Sequence, residues 1–276
     1  KMDSVALTEH GNMFSVVPYY KDAKKAGIKP IIGCEIYVAT GSRFEKKTTA
    51  ESGWGNNHLI LLAQNYTGYK NLMKLVTAGY LEGFYYRPRV DVELLRQYSE
   101  GLICMSACLK GEIPEKMLRG NYEGAKEAAL RFAEIFPDRF YLEIQNHGIP
   151  EEEANIKNMK KLAADLDLPL VCTNDAHYAK QSHWEAHDIH ICLGTGKERS
   201  DPNRLRYATP EFYFKTQDEM HTLFKEFPKA IENTRRIADS IDVELRMGEY
   251  HLPNFPIPED SPTQDSDKYL KMLTQA

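Results

Sequence analysis

The chain offers few of the features that assign a protein at a glance. It has no C-x-x-C pair: its five cysteines, Cys34, Cys104, Cys108, Cys172 and Cys192, are scattered and odd in number. That argues against a disulfide framework and fits a reducing cytoplasm. No apolar run approaches the ~20 residues of a membrane span, and no signal peptide is visible. Gly (17) and Pro (14) are not enriched over 276 residues, so a packed protein is expected rather than a disordered one. Excess positive charge is also lacking. The net charge is −5, so composition gives no general reason to expect nucleic-acid binding; contact with DNA would be local or through sequence outside these residues.

What is present is alternation. Short apolar, β-rich runs at Ser4–Thr8, Pro30–Val38, His58–Ala63, Leu102–Ser106, Phe140–Ile144 and Leu170–Thr173 are separated by helical patterns, with a short seventh strand expected at Phe212–Phe214. Strand–helix alternation without an obvious break predicts an α/β fold with a largely parallel sheet. A barrel-like single domain is favoured over a doubly wound open sheet. Residues 39–57 read as a long polar loop. From Met247 the pattern changes: three prolines between His251 and Pro258, then a polar stretch, predict a domain over 1–246 and a linker with the start of a further segment over 247–276.

Metal ligands are the strongest chemical theme. Strand edges carry Thr8-Glu9-His10-Gly11, Gly33-Cys34-Glu35, Asn57-His58, Ser106-Ala107-Cys108 and Thr173-Asn174-Asp175-Ala176-His177. Loops at one rim of an α/β barrel converge on a common mouth, so ligands far apart in sequence can meet. Imidazole, thiolate and carboxylate together suit zinc, or manganese and iron where carboxylates are more numerous. Each fragment alone is as well explained by a hydrogen-bonded core residue. His58 begins its strand where the others end theirs, so it reaches the same rim only if that strand runs antiparallel. Weaker signals are set aside. His183, His187 and His190 share a helical face but lack an H-E-x-x-H pattern, and are expected outside the cluster. Leu193-Gly-Thr-Gly-Lys197 fails the Walker pattern and reads as a turn. Lys197, Arg199, Arg204 and Arg206 form a small basic stretch. Ser106 and Ser182 have no triad context. His147 ends a strand as a rim residue.

Read together, Ser4-Val-Ala-Leu-Thr-Glu-His-Gly-Asn12, Gly27-Ile-Lys-Pro-Ile-Ile-Gly-Cys-Glu-Ile-Tyr37, His58-Leu-Ile-Leu-Leu-Ala63, Cys108-Leu-Lys-Gly-Glu112, Leu142-Glu-Ile-Gln-Asn-His-Gly148 and Thr173-Asn-Asp-Ala-His-Tyr178 resemble the polymerase-and-histidinol-phosphatase (PHP) family. The closer likeness is to the PHP domains of bacterial replicative polymerase alpha subunits. The resemblance implies a distorted (β/α)7 TIM-like barrel with a divalent metal cluster held by His10, Glu35, His58, Cys108, Asp175 and His177. Among these, Asp175, His177 and His10 would be catalytic, with Glu9 and His147 supporting the ligands from behind. It implies zinc or manganese, with iron as a further option, and metal-dependent 3′–5′ exonuclease proofreading. The partners implied are DNA, the rest of a polymerase alpha subunit and other replisome subunits. The family pattern also has an earlier His-x-His strand and a following acidic residue, which do not precede Lys1. The expectation is therefore a barrel without its first strand, an open edge beside Ser4–Thr8, and at most two weakly held metals. The competing expectations are a stand-alone phosphatase and a non-catalytic brace.

Overall fold

The computed structural model describes residues 2–47, 55–250 and 252–275. The chain divides into two compact units, Lys1–Glu244 and Leu245–Ala276. In the first, strands β1 (Ser4–His10), β2 (Lys29–Ala39), β3 (Asn56–Ala63), β4 (Arg89–Val90), β5 (Leu102–Met105), β6 (Phe140–Ile144) and β7 (Leu170–Cys172) form one sheet. Its order is β1-β2-β3-β5-β6-β7, with β4 also pairing β2. The sheet curls into an open half-barrel, the incomplete TIM-like form that the family resemblance implies. All pairings are parallel except those of β3, which runs antiparallel to both β2 and β5. The reversal that His58 needed is therefore present.

The interleaved helices are α1 (Val16–Lys25), α2 (Tyr66–Leu81), α3 (Val92–Gln97), α4 (Glu112–Leu118), α5 (Tyr122–Ile135), α6 (Pro150–Leu166), α7 (Trp184–Thr195), α8 (Gln217–Leu223) and α9 (Pro228–Ser240). Their starts follow local chemistry. Asn65, Asp91 and Asn121 accept from backbone N–H groups in the first turns of α2, α3 and α5, and Thr216 with Glu219 closes a capping box on α8. Strand β2 is buried along its length apart from partly exposed Lys29, because helices cover it and neighbours flank it. The core gathers Ile36, Leu61, Leu72, Leu102, Phe132, Leu142 and Met159 between sheet and helices.

One expectation changes. The seventh strand is Arg89–Val90, not Phe212–Phe214; the latter supplies only an isolated bridge from Tyr213 to Tyr178. The short β4 is fixed by the buried Arg89 guanidinium, which donates to the carbonyls of Gly83 (3.1 Å) and Glu45 (2.8 Å) and so ties the start of the 39–57 loop to the sheet. The rest of that loop, 48–54, lies outside the described residues, as does His251 of the expected linker. Strand β1 pairs only with β2 among the described residues. Its Val5 carbonyl accepts instead from the Tyr19 hydroxyl of α1, which also takes the Ile31 N–H (3.4 Å). In the second unit, α10 (Ser266–Gln275) follows a segment in which Phe255 stacks on Tyr269 at 5.9 Å.

Candidate metal centre

Strand register assembles the site. His10 pairs with Glu35 across β1 and β2, and Tyr37, two residues on, pairs with His58 across β2 and β3. Alternate residues of a strand share a face, so His10, Glu35, Tyr37 and His58 all lie on one side of the sheet. The β3–β5 register matches Ile60 with Met105, and its continuation leads from His58 to the turn that holds Cys108. The side chains follow suit. His58 Nδ1 is 2.6 Å from Glu35 Oε1, and His10 Nε2 is 3.6 Å from the same oxygen. Cys108 Sγ is 3.8 Å from His58 Nδ1. The His10 ring lies 5.6 Å from that of His177, and His177 Nε2 lies 3.3 Å from Asp175 Oδ1. The six expected ligands thus form one continuous run of neighbours, Cys108–His58–Glu35–His10–His177–Asp175.

Backbone conformation at the strand ends holds them there. Gly11 (φ +67°) turns the chain directly after His10; a Cβ at this position would stand 2.8 Å from Tyr37 and 2.9 Å from Pro88. Ala107 and Asp175 take positive φ, at 63° and 41°. The Ala107 strain is offset by its N–H donating to Glu143 Oε2 at 2.9 Å.

The electrostatics of this face are one-sided. Burial, reinforced by Glu35 and Asp175, pushes the Cys108 thiol far up. Burial pushes Glu143 up to about 7, with Asp175 and Glu35 adding to the rise. Burial would raise Asp175 as well, but its hydrogen bond to His177, with the charges of His177, His147 and His10, holds it below the ordinary carboxylate range. Among the described residues, no three His, Cys, Asp or Glu side chains already surround a common point as a metal would gather them. Even so, the donors present fit a cation. Glu35 Oε1 is buried, and the groups facing it are imidazole nitrogens, His58 Nδ1 at 2.6 Å and His10 Nε2 at 3.6 Å. Imidazole, carboxylate and thiol side by side, with two further imidazoles and Asp175 along the same run, match the N, O and S set that divalent transition metals take.

The remaining expected residues take other roles. The Glu9 carboxylate turns away to accept from Ser15 N (3.0 Å) and Oγ (2.9 Å) at the start of α1, and its backbone carbonyl accepts from Cys34 Sγ. His147 is fully committed: Nδ1 faces Glu152 Oε1 at 2.6 Å, Nε2 faces the Asn174 carbonyl at 2.8 Å, and the ring stacks on Phe212 at 3.9 Å. It therefore fixes the segment that presents Asp175 rather than facing the cluster itself. His183 and His190 are exposed, whereas the half-buried His187 sets its ring 5.8 Å from that of His177. The basic stretch is largely consumed by ion pairs, Lys197 with Asp201 and Arg199 and Arg204 with Asp188. Of the stretch read as a turn, residues 193–195 instead form the last turn of α7, and Gly196 ends that helix in the left-handed conformation. Ser106 Oγ accepts from Glu143 N at 2.8 Å, a structural bond.

Two residues escaped the sequence reading. Tyr37 sets its ring edge-on to His58 at 5.2 Å and could have been found by counting two from Glu35. The Tyr207 hydroxyl lies 3.1 Å from His177 Nε2, and burial followed by Asp175, Cys108 and Glu35 pushes its pKa well up, so it stays protonated. It comes from an irregular loop with no periodicity to mark it.

A family model for the PHP domain matches residues 1–147. The chain belongs to the PHP domain family. It is 48% identical over 274 residues to the DNA polymerase III subunit alpha of Borreliella burgdorferi, a match covering 99% of this chain and 24% of that protein. The corresponding subunit of Treponema pallidum is 45% identical, covering 98% of this chain and 23% of the relative. That of Thermus aquaticus is 41% identical, covering 98% and 22%. The chain thus spans about a quarter of the length of the curated relatives it matches. Among its described residues, no helix is long and apolar enough to cross a membrane.

Proposed function

We propose that this PHP domain is a metal-dependent phosphodiesterase serving a replicative DNA polymerase III alpha subunit, with 3′–5′ exonuclease proofreading as its task. It would work in the cytoplasm, with DNA, the rest of the alpha subunit and other replisome subunits as partners. The observation that carries this reading is the run Cys108–His58–Glu35–His10–His177–Asp175 on one rim, with the buried Glu35 Oε1 between His58 and His10. These six residues would hold zinc or manganese. A bound divalent cation supplies Lewis acidity toward water and neutralises charge on a scissile phosphate.

The protein's own groups set the conditions for that chemistry. Asp175 stays anionic because His177 bonds to it, so it brings negative charge to the site near neutral pH. Tyr207 keeps its proton and can donate toward an anionic oxygen beside His177. Half-exposed His10, whose side chain is 51% accessible, is the member open to an incoming strand.

The test pairs metal analysis with hydrolysis of a 3′-labelled single-stranded oligonucleotide and of a phosphomonoester. Bound metal and 3′-end shortening that requires it are expected, with Asp175→Asn lowering the rate at least about a hundredfold, because an amide does not neutralise cationic charge. Full activity of that variant with unchanged metal content refutes the assignment. Activity confined to the monoester favours a stand-alone phosphatase, and absence of both metal and hydrolysis leaves a structural brace.

A further inference from the structure

Beside the centre lies a surface that the proposed hydrolysis does not by itself use. Pro88 is its hub. The turn after His10 abuts Pro88, since a Cβ on Gly11 would stand 2.9 Å from its ring, and α2 abuts it from the other side at Gly79, where a Cβ would stand 3.3 Å from its backbone. Around this hub are three well-exposed rings, Phe14 (79%), Tyr80 (40%) and Phe84 (52%). They form a ladder, with Phe14 6.4 Å from Tyr80 and Tyr80 6.2 Å from Phe84. Phe14 is tied to the His10 strand end by Asn12, whose side chain donates to the His10 carbonyl and accepts from Phe14 N, both at 3.1 Å.

Two cations flank the same rim. Arg87 is exposed, and its guanidinium lies 5.7 Å from the Tyr37 ring, which in turn meets His58 edge-on. Lys110 is exposed in the turn after Cys108, and its carbonyl accepts from His58 N at 3.0 Å. Neither forms an ion pair among the described residues, in a chain whose net charge is −5 and where Arg43, Arg199 and Arg204 all have carboxylate partners. Unpaired cations beside an exposed aromatic ladder match a polyanion with stacking faces.

We infer that Phe14, Tyr80 and Phe84 form a stacking track for a single-stranded nucleic acid, with Arg87 and Lys110 holding its phosphates where the strand enters the His10 rim. The inference rests on the phosphodiesterase reading for the direction in which the strand leads. Rings serve any base, because every base has a π-face, and the cations track the backbone, so the track selects single strands over duplex without selecting sequence.

The test is anisotropy of a fluorescein-labelled oligothymidylate, with a duplex of equal length as control, bound to the full 276-residue chain in excess chelator. Phe14→Ala and Phe84→Ala should each weaken single-strand binding at least about fivefold and leave its salt dependence intact. Arg87→Gln and Lys110→Gln should each lower the log–log salt slope by about 0.7. All four side chains are exposed, and unchanged unfolding midpoints will show that the variants fold. Absence of single-strand binding by the parent chain, or variants within about twofold of it, overturns the inference. So does self-association, seen by sedimentation, that disappears with Phe14→Ala, because the rings would then pair two copies. The chelator separates the two proposals: this binding pattern in a chain that never cleaves DNA sinks only the hydrolytic reading, whereas metal-dependent cleavage indifferent to Phe14 and Arg87 sinks only the track.

Discussion

His147→Phe tests how the Asp175 segment is held. The ring is 1% exposed and stacks on Phe212 at 3.9 Å with planes 7° apart, so a phenyl group preserves the packing while removing both ring nitrogens. Two buried acceptors then lose their partners, Glu152 Oε1 at 2.6 Å and the Asn174 carbonyl at 2.8 Å. Glu152 is only 4% exposed and keeps one bond, from His147 N to Oε2, so its other oxygen cannot simply turn to water. Leaving a buried acceptor unmade costs about 1–3 kcal/mol, and more for a charged one, giving an expected loss of about 3–5 kcal/mol. Urea denaturation followed by circular dichroism measures it. Glu152→Gln is the control: an oxygen and an N–H remain where the carboxylate was, so about 1–2 kcal/mol is expected. The second readout is functional. With its carbonyl released, Asn174 no longer fixes the approach to Asp175, so metal uptake should weaken even in the folded variant. A His147→Phe protein within about 1 kcal/mol of the parent would show that the two bonds do not hold this segment, and the account of His147 as a positioning residue would fall.

Other outcomes follow from close approach and charge. Gly68→Ala should cost about 3 kcal/mol or more, because its Cβ would fall 1.8 Å from the Gly101 carbonyl oxygen, itself in a turn at φ +69°. Gly120→Ala, with nothing within 4 Å but φ +73°, should cost only about 1 kcal/mol, and equal costs in thermal or urea unfolding would contradict the packing argument. Burial works to raise Glu112, but bonds to Arg131 and Lys116 outweigh it and hold its carboxyl below the ordinary value of 4.5. A carboxyl depressed by folding stabilises above its unfolded pKa, and this contribution is lost as pH falls through the lower folded value. The gap between parent and Glu112→Gln should therefore be about 1–2 kcal/mol near neutrality and shrink below about pH 4.5; a gap that widens in acid would reverse the sign.

What the sequence revealed and concealed divides along physical lines. Phe140–Ile144 is legible to the residue, because an apolar run bounded by turn residues is a local signal. The reversal of β3 was readable because His58 stood at the wrong end of its strand for its chemistry, and only an antiparallel strand could bring it to the rim. By contrast, β4 is two residues long and rests on buried Arg89, whose partners lie 6 and 44 residues away in sequence, and no local pattern records such distances. Phe212–Phe214 misled for the opposite reason: three residues of strand-like composition serve as a lid instead, Phe212 lying flat on His147 and edge-on to His177. The ligand candidates were visible one by one as strand-end residues, but the layer behind them was not. His147, Tyr207, His187 and Phe212 surround His177 or the segment leading to it, and they come from two separate loops and a helix. Their grouping exists only after the sheet curls. The curl therefore does more than gather candidate ligands: it places a carboxylate-rich face against protonated Tyr207 and brings imidazoles from two other strands to the buried Glu35 Oε1.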